Sequence, residues 1–152
     1  MSVRESIVAA LVTRMQGITV GGGYQTDFGS YVETWKSIPA QFESKLLNIR
    51  DTGDDPSTEF LNGPFNYQTH FLTIEIDLVA GDIGSSVETY LRKGITDVYS
   101  AMNSGAGDSL GVAGVIMSIP MGDVFDVTQE ERRVAGARIT LRVQYRTKLW
   151  EN

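Results

Sequence analysis

The sequence predicts an α+β domain, a single mostly antiparallel β-sheet with two α-helices packed on one face. Three observations carry that prediction. In residues 69–80, His70, Leu72, Ile74, Ile76 and Leu78 alternate with Thr69, Thr73, Glu75 and Asp77, with Phe71 and Val79 as exceptions. A two-residue period is that of a strand with one face on a core and one on solvent. In residues 135–147, Ala135, Ala137, Ile139, Leu141, Val143 and Tyr145 alternate with Arg138, Thr140, Arg142, Gln144 and Arg146, so one strand has an acidic outer face and the other a basic one. Finally, two segments carry apolar residues at spacings of three and four, the helical period.

The elements follow in order. Ser2 and Glu5 form S-x-x-E, the box in which two side chains satisfy free N–H groups at a helix start. Val3, Ile7, Val8, Leu11, Val12 and Met15 then make one stripe, and Gly17 is a natural stop. Residues 24–35 are expected to be extended with a turn at 28–30, and 31–35 to form a strand. Residues 46–51 (LLNIRD) form a second extended piece. The polar stretch 51–66, with Asp54-Asp55-Pro56 and Asn62-Gly63-Pro64, is expected to be a long loop. A second helix starts at Ser85 or Ser86, and its stripe is Val87, Tyr90, Leu91, Ile95, Val98, Tyr99 and Met102. Arg92, Lys93 and Asp97 fall off that stripe, and Gly94 costs about 1 kcal/mol relative to Ala. Residues 103–111 end the helix. Residues 112–119 suit an inner strand stopped by Pro120, and 121–133 a charged connection before the closing strand.

Bulk composition narrows the function classes. At 152 residues the chain suits one domain, 1–152, with a real core. Its 41% hydrophobic and 21% charged residues are ordinary for a globular protein. With no Cys there is no disulfide framework, thiolate nucleophile or Cys-based zinc site. No run reaches the roughly 20 apolar residues of a membrane span, so no membrane partner is expected. A net charge of −6 argues against a general grip on nucleic acid and agrees with a protein that nucleic acid passes without sticking.

No residue pattern declares an enzyme, a cofactor or a metal. His70 is the one histidine, so any Ser-His-Asp arrangement must use it, and no G-x-S-x-G elbow accompanies it. The glycines of 105–111 follow a helix and precede a strand, the reverse of a phosphate loop. Asp51, Asp54, Asp55 and Glu59 match no EF-hand spacing and are expected to be a solvated acidic loop. Arg138, Arg142 and Arg146 lie in line on one strand face. They are expected to pair across strands with Glu75 and Asp77, or to line a channel or meet another subunit. The expected subunit or partner contacts are the loop residues Asp54, Asp55, Phe60, Phe65, Asp123, Phe125, Asp126, Glu130, Glu131, Arg132 and Arg133. A large apolar residue in a polar connection, such as Phe125, either tucks back onto its domain or anchors a partner.

Several stretches together carry a family resemblance. They are the leading amphipathic helix, Gly-Tyr-Gln-Thr-Asp-Phe-Gly at 23–29, Trp35, Leu-Asn-Ile-Arg-Asp at 47–51, the long strand 69–80, the second helix, and Tyr-Arg-Thr-Lys-Leu-Trp at 145–150. In these the chain resembles the tail terminator and tail completion proteins of long-tailed bacteriophages. The resemblance implies a non-enzymatic virion protein of the tail and neck, assembled in the host cytoplasm. It implies a homo-oligomeric ring, typically a hexamer, on the head-proximal end of the tail tube. Its partners would be the tail tube protein and the neck or head-completion proteins, with DNA passing through the channel without sequence-specific binding. A head-closure protein or a tube subunit shares this composition, and a small-ligand binding module is the alternative outside that class.

Overall fold

The computed structural model describes residues 1–36, 45–57, 67–81, 86–104, 109–129 and 133–148, with backbone only at 126–129, 133 and 134. The elements are α1 (Val3–Gln16), β1 (Val32–Thr34), β2 (Lys45–Ser57), β3 (Tyr67–Gly81), α2 (Val87–Met102), β4 (Val115–Gln129) and β5 (Arg133–Lys148). They build one five-stranded sheet in the order β1-β2-β3-β5-β4. β1 runs parallel to β2, and every other pairing is antiparallel. The fold is therefore the α+β class that the two alternating strands predict.

Both helices cover one face. Ile7, Leu11 and Met15 of α1 and Val87, Leu91, Val98 and Ala101 of α2 pack on Leu72, Ile74, Ile76 and Leu78 of β3 and on Ile139, Leu141 and Val143 of β5. Burying each large aliphatic side chain contributes about 1.5–3 kcal/mol, so this layer is the main source of stability. The capping box forms: Glu5 N–H donates to Ser2 Oγ at 3.2 Å, and Ser2 N–H donates to Glu5 Oε2 at 2.7 Å. Arg14 in the last turn of α1 donates to Met102 O at 3.1 Å, which ties the two helix ends together. Gly94 has its own reason to be in α2, since a Cβ there would stand 2.4 Å from the Phe28 ring. The helix gives up propensity so that an aromatic can lie against its backbone.

Several expectations need correction. Residues 51–57 are not a loop but the second half of β2, which a bulge between Asp51 and Gly53 carries past the acidic residues. β1 pairs only with residues 47–49, so from there on β2 can hold Pro56 without losing a ladder bond. Residues 121–129 are not a connection either. β4 runs straight through Pro120 because it is an edge strand rather than an inner one, and bulges at Val115/Met117 and Pro120/Gly122 absorb the kink. Gly122, at φ +117°, takes a conformation that other residues resist. Between Tyr24 and Trp35 the extended stretch shrinks to β1, preceded by 3₁₀ turns at Val20–Gly22 and Phe28–Tyr31. Asp97 is not on the solvent side of α2: it is 2% exposed and accepts from Gln25 N–H, Thr26 N–H and Thr26 Oγ1 at 3.1, 2.8 and 2.7 Å. Ser86 occupies the N-cap position of α2 but makes no side-chain cap bond.

Candidate functional site

The face of the sheet opposite the helices is a charged lattice built by the strand alternation. Arg50 Nη2 donates to Glu75 Oε2 at 2.8 Å and to Asp77 Oδ2 at 2.7 Å, while Arg138 Nε donates to Asp77 Oδ1 at 2.7 Å. The Asp77 carboxylate holds the Arg138 guanidinium above its ordinary range. Two carboxylates thus neutralise two guanidiniums across β2, β3 and β5. The partner Arg50 was missed because β2 pairing cannot be read locally. Arg142 does not join them. It lies opposite Thr73, with its guanidinium 4.5 Å from the Phe71 ring centroid, a cation–π geometry. Arg146 lies further along the same face and is exposed.

β4 presents the largest apolar exposure among the described residues. Ile116, Met117, Ile119, Met121 and Val124 are each at least 36% exposed. Met117, Ile119 and Val124 stand opposite Gln144, Arg142 and Arg138, so an apolar row runs beside the basic row of β5. On the helix side, a groove of about 240 Å³ opens between α2 and β4, over Tyr99, Met102, Pro120, Ile139 and Leu141. Asp123 is exposed and accepts from Tyr99 OH at 3.4 Å. Phe125 tucks back onto the core, its ring 5.7 Å from the Arg92 guanidinium.

At the far end of the sheet, His70 links three strands. Asp54 Oδ2 can only accept, so His70 Nδ1 carries the proton it receives at 2.9 Å. Nε2 shares a hydrogen bond with Thr147 Oγ1 at 3.1 Å. Tyr145 OH donates to the same Asp54 oxygen at 3.0 Å, and its ring stacks on the imidazole at 4.9 Å. Burial, and then the Asp54 carboxylate, push the Tyr145 phenol well above its ordinary value, so it stays a donor. The connectivity Thr–His–Asp is that of nucleophile, base and orienter. However, Thr147 and His70 are 5% and 8% exposed, so a substrate has no line of approach to the hydroxyl. The cluster's evident role is to tie β2, β3 and β5 together.

A second constellation stands beside β1, at the edge of the sheet away from β4. Trp35 has φ +51° and is 57% exposed. Its Nε1–H donates to Asp51 Oδ1 at 2.6 Å, Arg4 Nε donates to Asp51 Oδ2 at 2.5 Å, and Trp35 N–H donates to Ile49 O at 3.1 Å. Burial raises the Asp51 pKa, but the Trp35 and Arg4 hydrogen bonds outweigh it and hold the carboxyl below its ordinary 3.8. A carboxyl whose pKa is lower when folded stabilises the fold above its unfolded value, and that contribution is lost as pH falls through the folded one. We therefore expect Arg4→Ala to cost about 1 kcal/mol at neutral pH. The deficit relative to the parent should shrink as pH falls below the ordinary carboxyl value of 3.8 and close once the folded Asp51 carboxyl protonates. Urea titrations at several pH values would check both.

Of the expected contact residues, Asp54 is sequestered by His70 and Tyr145, Asp55 is exposed on β2, and Asp123 and Phe125 lie on β4. Asp126 and Arg133 are placed by backbone alone. Phe60, Phe65, Glu130, Glu131 and Arg132 lie outside the described residues. The β4 apolar row and Trp35 escaped sequence reasoning. Apolar residues in an assumed inner strand or a strand-borne Trp look like core until the neighbouring strands are known. Among the described residues no group of three or more His, Cys, Asp or Glu could hold a metal, and no helix is long and apolar enough to cross a membrane. Comparison with protein-family models and with curated proteins finds no match to this chain.

Proposed function

We propose that this chain is a structural virion protein, a tail terminator. In this reading it forms a ring at the head-proximal end of a phage tail tube, stops tube growth and offers the head or neck a docking surface. The carrying observation is β4, an edge strand of 15 residues that exposes Ile116, Met117, Ile119, Met121 and Val124 to solvent. Pro120 and two bulges blunt the backbone edge of β4, so its exposed apolar side chains, rather than its unpaired backbone, offer the surface for association. A terminator needs one face complementary to the tube subunit and another that is not, and its own contacts must be heterologous and closing. The balanced Arg50, Glu75, Asp77 and Arg138 lattice suits a surface that DNA slides past, since its charges are already answered within the sheet. The resemblance to tail terminators supplies the biological setting, including a tail tube partner and a neck partner.

The test is assembly. Native mass spectrometry at rising concentration, and electron microscopy with and without tail tubes, should give single rings and capped tubes. Long fibres would indicate a tube subunit instead, and a strict monomer without affinity for tubes would sink the reading. Ile119→Asp with Val124→Asp is expected to abolish assembly, because each places a charge in the association surface. Both side chains are exposed, so stability should change by about 1 kcal/mol or less in total.

A further inference from the structure

We infer that the contact between neighbouring copies is a knob in a groove, with Trp35 of one copy seated in the α2–β4 groove of the next. This inference rests on the ring reading above and specifies its interface.

The knob is built for presentation. A tryptophan more than half exposed is unusual for a residue with so large an apolar body. Here the indole is also held by Asp51, itself gripped by Arg4, from a backbone at φ +51°. Left-handed backbone at a bulky residue costs free energy and persists only where the surroundings impose it. An anchor already fixed in place loses little freedom on docking, and tryptophan is the side chain most enriched among interface residues that dominate affinity.

The groove is the chemical counterpart. Val98, Tyr99, Met102, Pro120, Ile139 and Leu141 line it, the last two forming its floor. Tyr99 and Met102 offer the flat and soft surfaces that aromatic rings pack against. Charge agrees as well. Lys36 follows Trp35 in the chain and is bridged to Glu33 at 3.6 Å, while Asp123 sits beside Tyr99 at the groove. Docking would bring the ammonium toward the carboxylate.

Topology makes the contact a repeating one. Trp35 follows β1 and the groove adjoins β4, the two outer strands of the sheet. Both features lie on the helix-bearing side, because Trp35 bonds the same Asp51 that Arg4 of α1 holds. Four strand spacings, about 19 Å, separate the edges, so one chain cannot seat its own knob. Such a contact is heterologous, and repeating it makes a ring when the rotation closes.

Complementation tests this. Trp35→Ala keeps the groove and loses the knob, whereas Ser118→Phe keeps the knob and crowds the groove. Each alone should self-associate about 30-fold or more weakly than the parent chain. Mixed one to one, they should restore a single strong contact and yield a heterodimer that grows no further. Trp35→Phe should recover part of the loss, and thermal melts confirm folding. If Ser118→Phe fails to fold, Asn103→Trp at the groove mouth replaces it. Two outcomes would overturn the knob while leaving the ring standing: Trp35→Ala associating like the parent, or two folded variants that do not complement. A parent chain that neither associates nor caps tubes would remove the ring reading and this contact with it.

Discussion

Gly29→Ala is expected to be the most damaging single-methyl change in the described structure, lowering stability by about 3 kcal/mol. A Cβ at Gly29 would stand 2.6 Å from both Gln16 O and Ile18 O, and 2.8 Å from Met15 O. These are backbone carbonyls at the end of α1, not flexible side-chain tips, so nothing can step aside cheaply. Gly29 N–H also donates to Ile18 O at 2.9 Å, and any retreat of the chain would stretch that bond. Because Phe28 fills the space beside Gly94 of α2, the disturbance would reach both helices. At the scale of a chain this size, about 2–4 °C per kcal/mol, the melting temperature should fall by roughly 10 °C. An unchanged melt would show that the α1 terminus is looser than its packing implies.

Asp97→Ala should cost nearly as much, about 3 kcal/mol, through unpaired polar groups rather than sterics. The carboxylate accepts three hydrogen bonds from Gln25 and Thr26 at a site 2% exposed to solvent. Removing it strands two backbone N–H groups and a hydroxyl, each with a desolvation cost of about 1 kcal/mol or more. Asp97→Asn keeps the shape and one acceptor oxygen, and is expected to recover roughly half of the loss. Chemical denaturation of the three proteins would rank them. Equal stability of Asp97→Ala and the parent would mean that water enters to replace the carboxylate. The segment anchored by Asp97 leads through Phe28 to β1 and Trp35, so loosening it should also weaken assembly if Trp35 is the knob.

Some elements were legible because their causes are local. The capping box of Ser2 and Glu5 needs only a spacing of three, and both of its bonds are present. Leu72, Ile74, Ile76 and Leu78 alternate because one face of β3 is dry, and all four are fully buried. Asp97, in contrast, looked like a solvated position, since helical period reports polarity and not what another segment brings to meet it. Pro120 looked like a strand end because it cannot sit in an inner strand. Only the insertion of β5 between β3 and β4 makes β4 an edge, where a proline is tolerated.

The same division applies to the candidate surface. Composition, alternation and helical period by themselves determined the α+β class, the two faces of the central strands and the lack of any recognisable catalytic pattern. Tertiary structure decided that Met117, Ile119 and Val124 are exposed, that Asp54 is locked away with His70 and Tyr145, and that Trp35 and the α2–β4 groove stand at opposite edges. The reason is physical. Periodicity depends on residues two to four positions apart, whereas edge position and exposure depend on strands paired across dozens of residues. Nothing in a strand's own sequence states which neighbour it will have.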